Sequence, residues 1–261
     1  MKKIAIIGGI ENMKQNLRIG GNANYRLEKW RQWWDKTDKK SFSLGKRKTF
    51  PKPPKSEMLA EFVGIMIGDG GVAPYHISVT LHSTDEKKYS RHVCKLIQKL
   101  FFMTPKIYQK KNSKAIDIVA HGKNLVEYCR SIGLPQGNKI KQKIDIPVWI
   151  KLNQSYSLSC IRGLIDTDGS FYEHSYMSKG KQYSYVKMSF TNGSYALILS
   201  VRNILIKLGF SARIVKNLLD VRVESKKDID KYVKLIGTHN PKHQYKLSKW
   251  KVAPNGKAAV C

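Results

Sequence analysis

The chain has 261 residues, enough for one large domain or two small ones with real cores. It carries 48 Lys and Arg against 19 Asp and Glu, a formal net charge of +29. That excess calls for a polyanionic partner, nucleic acid first, with an otherwise merely basic protein of ribosomal kind as the blander reading. No run of about 18 apolar residues exists to span a membrane, and residues 1–10 are too short and wrongly flanked for a signal peptide. The four cysteines are scattered without a C-x-x-C pair, which points to a reducing compartment and to neither a disulfide framework nor a zinc site.

Residues 1–55 read as a basic N-terminal arm. Gly8-Gly9 follows a strand-like opening but lacks the spacing and the βαβ context of a dinucleotide fingerprint. A short helix is expected over 24–36, with Leu27, Trp30 and Trp34 on one face and Trp33 beside them, a face expected to pack on the main body rather than to stack on bases. The Lys- and Pro-rich stretch 36–55 reads as an extended tether, or as an arm along phosphates.

A first subdomain is expected over 56–150, opening at Ser56 as N-cap with Glu57 in the first turn. Residues 59–71, L-A-E-F-V-G-I-M-I-G-D-G-G, predict a buried helix ending at Asp69. The alternation in H-I-S-V-T-L-H-S then predicts a strand with Ile77, Val79 and Leu81 inward and Ser78, Thr80 and His82 outward. An amphipathic helix over 85–101 follows, then strands over 106–110 and 115–120, a short helix over 123–132 and a basic connector. A second subdomain over 151–245 repeats this plan. L-S-C-I-R-G-L-I-D-T-D-G-S (158–170) ends at Asp168, and a strand presents Lys187, Ser189 and Thr191 opposite Val186, Met188 and Phe190. A helix over 194–208, strands near 212–216 and 219–223 and a helix over 226–236 complete it. The offset is 99 at the acidic motif and 109 at the first strand, so ten extra residues follow Gly169. The chain is thus an αββαββα unit occurring twice, and residues 246–261 read as a disordered tail.

Asp69 and Asp168 close helices, where the dipole is negative and a carboxylate is disfavoured without a compensating cation. Gly64 and Gly68 are four apart, as are Gly163 and Thr167. Small residues at that spacing let two helix backbones approach closely, and a glycine in a helix interior costs roughly 1 kcal/mol relative to alanine. Packed about a pseudo-two-fold axis, the helices would bring both aspartates to one end. Like charges there need a shared cation, and hard oxygen ligands suit Mg²⁺. His239-x-x-x-His243 has a metal-like spacing but no cysteine pair, and reads as a basic loop beside Lys242.

At these residues the chain resembles the LAGLIDADG homing endonucleases of the monomeric, two-motif kind. The nine motif positions fall on 62–70 and 161–169, and the resemblance covers roughly 56–245. The first copy departs from the pattern at Ile67-Gly68, where the second has Asp166-Thr167. The resemblance implies an α+β fold of two pseudo-symmetric LAGLIDADG subdomains, with the motif helices packed at their interface and two sheets forming a DNA-binding saddle. It implies Asp69 and Asp168 as catalytic metal ligands, with Gly68 and Thr167 beside them, and Mg²⁺ as cofactor, which Mn²⁺ or Ca²⁺ can replace for binding. A basic residue near each site is nominated at Lys139 and Lys242, and Lys141 or Lys143 could take the first role instead. The DNA-facing set is Ser78, Thr80, His82, Lys106, Tyr108, Lys110, Lys187, Ser189, Thr191, Arg213 and Arg222, whose alternative is a plain solvated sheet face. The implied function is a site-specific double-strand DNA endonuclease leaving short 3′ overhangs. It would act as a monomer on a long asymmetric duplex, in the cytoplasm of a bacterium or archaeon or in an organelle, and would not be secreted. The alternatives on the same fold are an RNA-binding maturase of a host intron and a cleavage-inactive DNA-binding regulator.

Overall fold

The computed structural model describes residues 23–36, 49–215 and 218–252. The chain divides into two units, residues 1–48 and 49–261. In the first unit, helix α1 (Ala23–Lys36) stacks Trp30 on Trp34, one turn apart, at 5.7 Å between ring centroids. The remaining residues of the unit, 1–22 and 37–48, lie outside the described residues, as does most of the tether expected over 36–55.

The second unit begins earlier than the sequence suggested. Phe50 packs edge-on against Phe101 and Tyr128 at 5.7 and 5.9 Å, and the Tyr128 hydroxyl donates to the Pro53 carbonyl at 2.8 Å. Residues 49–55 are therefore held to the body rather than to the arm.

Two repeats of the same order follow. The first runs α2 (Glu57–Ile67), β1 (Gly70–Val72), β2 (His76–His82), α3 (Lys87–Phe101), β3 (Lys106–Gln109), β4 (Ala115–His121) and α4 (Lys123–Ser131). A single turn, α5 (Val148–Lys151), leads into the second: α6 (Gln154–Asp168), β5 (Gly169–Ser178), β6 (Lys181–Thr191), α7 (Tyr195–Lys207), β7 (Ala212–Ile214), β8 (Asp220–Val223) and α8 (Lys226–Leu235). Each repeat forms a four-stranded antiparallel sheet, in the orders β1-β2-β4-β3 and β5-β6-β8-β7. The fold is α+β, two pseudo-symmetric αββαββα subdomains. The inward residues of β2 and β6, Ile77, Val79, Leu81, Val186, Met188 and Phe190, are buried, so one face of each sheet lies on the helices and the other is left polar.

Helix caps match the local chemistry. Ser56 Oγ accepts the Leu59 N–H and Asn153 Oδ1 the Tyr156 N–H, each satisfying a donor the helix start leaves open. Over residues 59–67 helix α2 is apolar but for Glu61, and these residues are all buried, because it packs against α6 on one side and against β1, β2 and α3 of its own repeat on the others.

The approach of α2 and α6 is reciprocal. A Cβ on Gly64 would lie 2.3 Å from the Cys160 carbonyl oxygen, and one on Gly163 would lie 2.4 Å from the Glu61 carbonyl oxygen. Each contact is the other displaced by the repeat offset, as a pseudo-two-fold requires. At Gly68 a Cβ would stand 2.0 Å from Thr167 Oγ1. The first motif's departure at Gly68 is thus matched by the threonine that fills its space from the opposite helix.

The ten extra residues after Gly169 lengthen β5 and β6 into a hairpin, turned at Lys179-Gly180 where both residues have positive φ. One segment differs from expectation. The segment read as a disordered tail from 246 begins inside a helix, α9 (Pro241–Val252), anchored by buried His243 and Leu247. Residues 253–261 lie outside the described residues.

Alanine in place of glycine normally favours a helix by roughly 1 kcal/mol. Gly64→Ala and Gly163→Ala are instead expected to destabilise the protein by about 2 kcal/mol or more, as overpacked sites do. Urea denaturation measures this, with Gly71→Ala, whose Cβ would meet only Ser78 Oγ at 3.5 Å, as the tolerated control.

Candidate active site and nucleic-acid interface

The paired helices deliver Asp69 and Asp168 to the same end of the interface. The Asp168 carboxyl carbon lies 3.6 Å from where a Cβ on Gly68 would stand, and the Asp69 carbonyl accepts the Thr80 N–H at 3.1 Å, pinning the motif end to β2. Both carboxyls are pushed up. Burial, then repulsion from Asp168 and Glu86, raises Asp69 to about 7 against the opposing charges of Lys139 and Lys242. Burial raises Asp168 too, opposed by the Asn192 amide, which donates to Asp168 Oδ2 at 2.9 Å, and by Lys139.

The lysines are not symmetric partners, one per aspartate. Lys139 Nζ donates to the carbonyls of Ile67 at 2.8 Å and Gly70 at 2.6 Å, and to those of Gly68 and Met66. It caps the C-terminal end of α2, where open carbonyls and the helix dipole favour a cation, and its charge reaches both aspartates. Burial pulls its pKa down while the aspartates oppose that. Lys141 and Lys143 are exposed, so Lys139 is the one of the three that the fold sets at the motif. Lys242 is exposed and its charge acts on Asp69 of the other repeat. Asn192, just past the end of β6, touches Asp168 directly. The Thr167 hydroxyl is directed into its own helix, donating to the Gly163 and Leu164 carbonyls.

The outward residues of each sheet share one face by register. Thr80 lies opposite Asp117, which lies opposite Tyr108, so Ser78, Thr80, His82, Lys106, Tyr108 and Lys110 all face one way. Ser189 pairs Arg222, which pairs Arg213, bringing Lys187 and Thr191 to the same face. Several of these cations are held by carboxylates: Lys110 by Asp117 at 3.2 Å, Lys187 and Arg213 by Glu224, and Arg222 by Asp220 at 3.0 Å. Thr80 and Thr191 also donate to Asp117 and Asp220. The two faces are therefore preorganised lattices of paired charge. The β5–β6 extension adds an aromatic ladder, with Tyr176 stacked on Tyr183 at 5.4 Å and both exposed.

A second polar cluster escaped sequence reasoning. Buried Asp166 accepts from Thr238 Oγ1 and from the His239 N–H at 2.8 Å. Fully buried Asn240 donates its amide to the Asp166 carbonyl and to Glu86 Oε1 of the first repeat. Arg162 clamps Glu61 Oε2 with two donors at 3.2 and 2.8 Å and the Ile236 carbonyl with a third. Glu61 was visible as the one charge inside an apolar helix, which is a signal for a buried partner. His239 and His243 do not converge. His239 turns to Glu61, while buried His243 lies 3.8 Å from Asp166.

Residues 155–237 match the family model of the LAGLIDADG-like domain. The second repeat thus carries a LAGLIDADG-like domain. A curated relative, from the A-type ATP synthase of Pyrococcus abyssi, is 35% identical over 85 residues; the match spans 33% of this chain and 8% of that protein. Among solved structures, I-DmoI in complex with DNA and Mn is 21% identical, covering 69% of this chain and 96% of that one, with a TM-score of 0.47. I-LtrWI, a LAGLIDADG homing endonuclease bound to target DNA, is 12% identical over 75% of this chain and 89% of its own, with a TM-score of 0.48. The N-terminal LAGLIDADG domain of DUF199/WhiA is 19% identical over 72% and 86%, with a TM-score of 0.46. Among the described residues no helix is long and apolar enough to cross a membrane.

The raised Asp69 pKa has a stability consequence in metal-free protein. The folded chain holds this proton more tightly than the unfolded one. Its contribution is therefore fully present below about 3.8, falls as pH rises, and is lost above about 7. Asp69→Asn in EDTA is expected to stabilise the unit 49–261 by about 1–3 kcal/mol near pH 8 and to do little near pH 4, read as thermal midpoints across pH. Lys139→Met should cost about 2 kcal/mol or more through the carbonyls it strands, and Lys242→Met under 1 kcal/mol, by urea denaturation.

Proposed function

We propose that this chain is a metal-dependent DNA endonuclease that cuts both strands of a long asymmetric duplex as a monomer. The observation that carries the proposal is the convergence of Asp69 and Asp168, half-buried and mutually repelling, at the joint end of the motif helices between two basic sheet faces. Two carboxylates so placed are stable together only with a cation between or beside them, and their oxygen donors suit Mg²⁺, or Mn²⁺ and Ca²⁺ as substitutes for binding. I-DmoI has been solved with DNA and Mn and with DNA and Ca.

Asp69 and Asp168 would hold the metal, with the main-chain oxygens of Gly68 and Thr167 at the same helix ends. The bound divalent ion would supply Lewis acidity at the scissile phosphate and lower the pKa of water. Asn192 orients the Asp168 carboxylate. Lys139, fastened to the motif end, and Lys242, free to reach outward, would steady charge developing on phosphate. Ser78, Thr80, His82, Lys106, Tyr108 and Lys110 on one sheet, and Lys187, Ser189, Thr191, Arg213 and Arg222 on the other, would meet backbone and base edges in the groove. The carboxylates that pair these cations, Asp117, Asp220 and Glu224, would release them to phosphate or accept from cytosine amino groups.

One feature favours a second reading, a nucleic-acid binder that does not cut. The Lys139 ammonium already sits on the Gly68 carbonyl, where a ligand of the ion would be. Selection of cleaved sites from a randomised duplex library with Mg²⁺ separates the two. Cleavage by wild type, with a loss of at least about 10³-fold in Asp69→Asn and Asp168→Asn and retained binding, supports the nuclease. Tight, salt-sensitive duplex binding without cleavage in Mg²⁺ or Mn²⁺ supports the binder, and preference for intron RNA over duplex DNA supports a maturase.

A further inference from the structure

A second cluster of ligating side chains lies away from the aspartates. We propose that Glu61, His92 and His239 form a binding site for a transition-metal ion of the zinc class, which clasps the second repeat to the first. Glu61 stands in α2 eight residues before Asp69, about 12 Å along a helix rising 1.5 Å per residue. His92 projects from α3 of the same repeat, and His239 comes from the segment between α8 and α9 of the other.

In the metal-free chain the two rings converge by hydrogen bonds on one carboxylate oxygen, and a small outward shift of the rings would make room for an ion between the three donors. His92 Nε2 and His239 Nδ1 both aim at one oxygen, Glu61 Oε1, at 2.8 and 2.6 Å. The two imidazoles lie 4.3 Å apart by ring centroid, and the three ligand atoms fall within 4.8 Å of one another. Such crowding of two rings onto one lone-pair oxygen leaves the other oxygen to Arg162 at 2.8 Å. Arg162 thereby fixes the carboxylate's orientation, the part an outer hydrogen-bond partner takes around a metal ligand.

The donor set selects the ion. Two imidazole nitrogens and one carboxylate oxygen suit Zn²⁺ or its near neighbours, whereas Mg²⁺ seeks oxygen alone. Three protein ligands leave a fourth position for water. His239 is 42% and His92 29% exposed against 5% for Glu61, so the cluster opens outward on its histidine side. The protons balance simply. Glu61 is held ionised by the hydrogen bonds of His239 and His92 and by Arg162, which outweigh its burial. Neutral histidines need only move their ring proton to the opposite nitrogen to free Nε2 of His92 and Nδ1 of His239 for the ion.

The consequence is mechanical. His239 sits between Thr238, which holds Asp166, and Asn240, which bonds Glu86. An ion on His239 would lock this crossing between repeats, independently of whether the aspartates cut DNA. The test uses the full chain stripped with chelator and titrated with Zn²⁺, and with Co²⁺ for its visible ligand-field absorption. In the Asp69→Asn, Asp168→Asn double variant, which removes the aspartate site, one equivalent should bind, raise the melting temperature and produce the intense band of a four-coordinate Co²⁺ site, and Mg²⁺ should do none of these. His92→Gln and His239→Gln should each weaken binding by about 100-fold or more while the metal-free circular dichroism stays that of wild type. His76→Gln, from the separate pair with His121, should bind as wild type does. Absence of saturable Zn²⁺ binding below millimolar concentration in the wild type, or undiminished binding in both folded variants, overturns the proposal.

Discussion

The structure depends on two helix backbones touching where side chains would normally hold them apart. With Gly64 against Cys160 and Gly163 against Glu61, the axes close to a distance that any Cβ at those positions would forbid. That closeness has consequences in both directions along the pair. Toward the C-terminal ends it forces Asp69 and Asp168 into mutual repulsion. Laterally it lets one apolar core run through both repeats, so neither sheet needs a core of its own. Each repeat alone would leave the apolar contact face of its motif helix bare, and the pairing is what removes that face from water.

Against this stands an electrostatic cost. Two carboxylates at helix C-termini oppose the dipole and each other. Lys139 offsets part of it by capping the carbonyls of α2 and facing both acids. It does not remove it, since Asp69 still rests near 7. A site in this condition is strained toward accepting a cation, and the strain is supplied by the same packing that stabilises the fold.

Much of this was legible in the sequence. Period-two alternation at Ile77, Val79 and Leu81 and again at Val186, Met188 and Phe190 located the central strands, and the small residues at four-residue spacing located the helix contact. Those features are local, and burial alone decides them. What was not legible is tertiary. The ten residues after Gly169 alternate too weakly to announce a hairpin, because its outer part is exposed on both faces and nothing imposes a buried side. The helix Pro241–Val252 is polar nearly throughout and is held by His243 and Leu247, whose burial no pattern shows. The lysine assignment needed three dimensions. Lys139, Lys141 and Lys143 are equivalent in composition, and only the turn over 138–144, closed by hydrogen bonds from Ile144 to Lys139 and from Lys141 to Asn138, selects one.

The two halves are alike in plan and unlike in detail, and the differences are complementary rather than random. Thr167 occupies the space Gly68 leaves. Asp166, standing where the first motif has Ile67, binds Thr238 and the His239 N–H through its carboxylate, an acceptor that the isoleucine side chain lacks. Lys139 serves both acids, while the Asn192 side chain serves Asp168; the backbone bond of its counterpart Ser83 to the Lys114 carbonyl is repeated at Asn192 with the Leu219 carbonyl, so the halves differ there in side chain alone. A homodimer could not make such choices, since each change would appear twice and Gly68 could not face a threonine without also being one. Joining the repeats in one chain frees each half to specialise around a shared axis. Symmetry is kept where backbones touch, at Gly64 and Gly163, and is given up where side chains set charge.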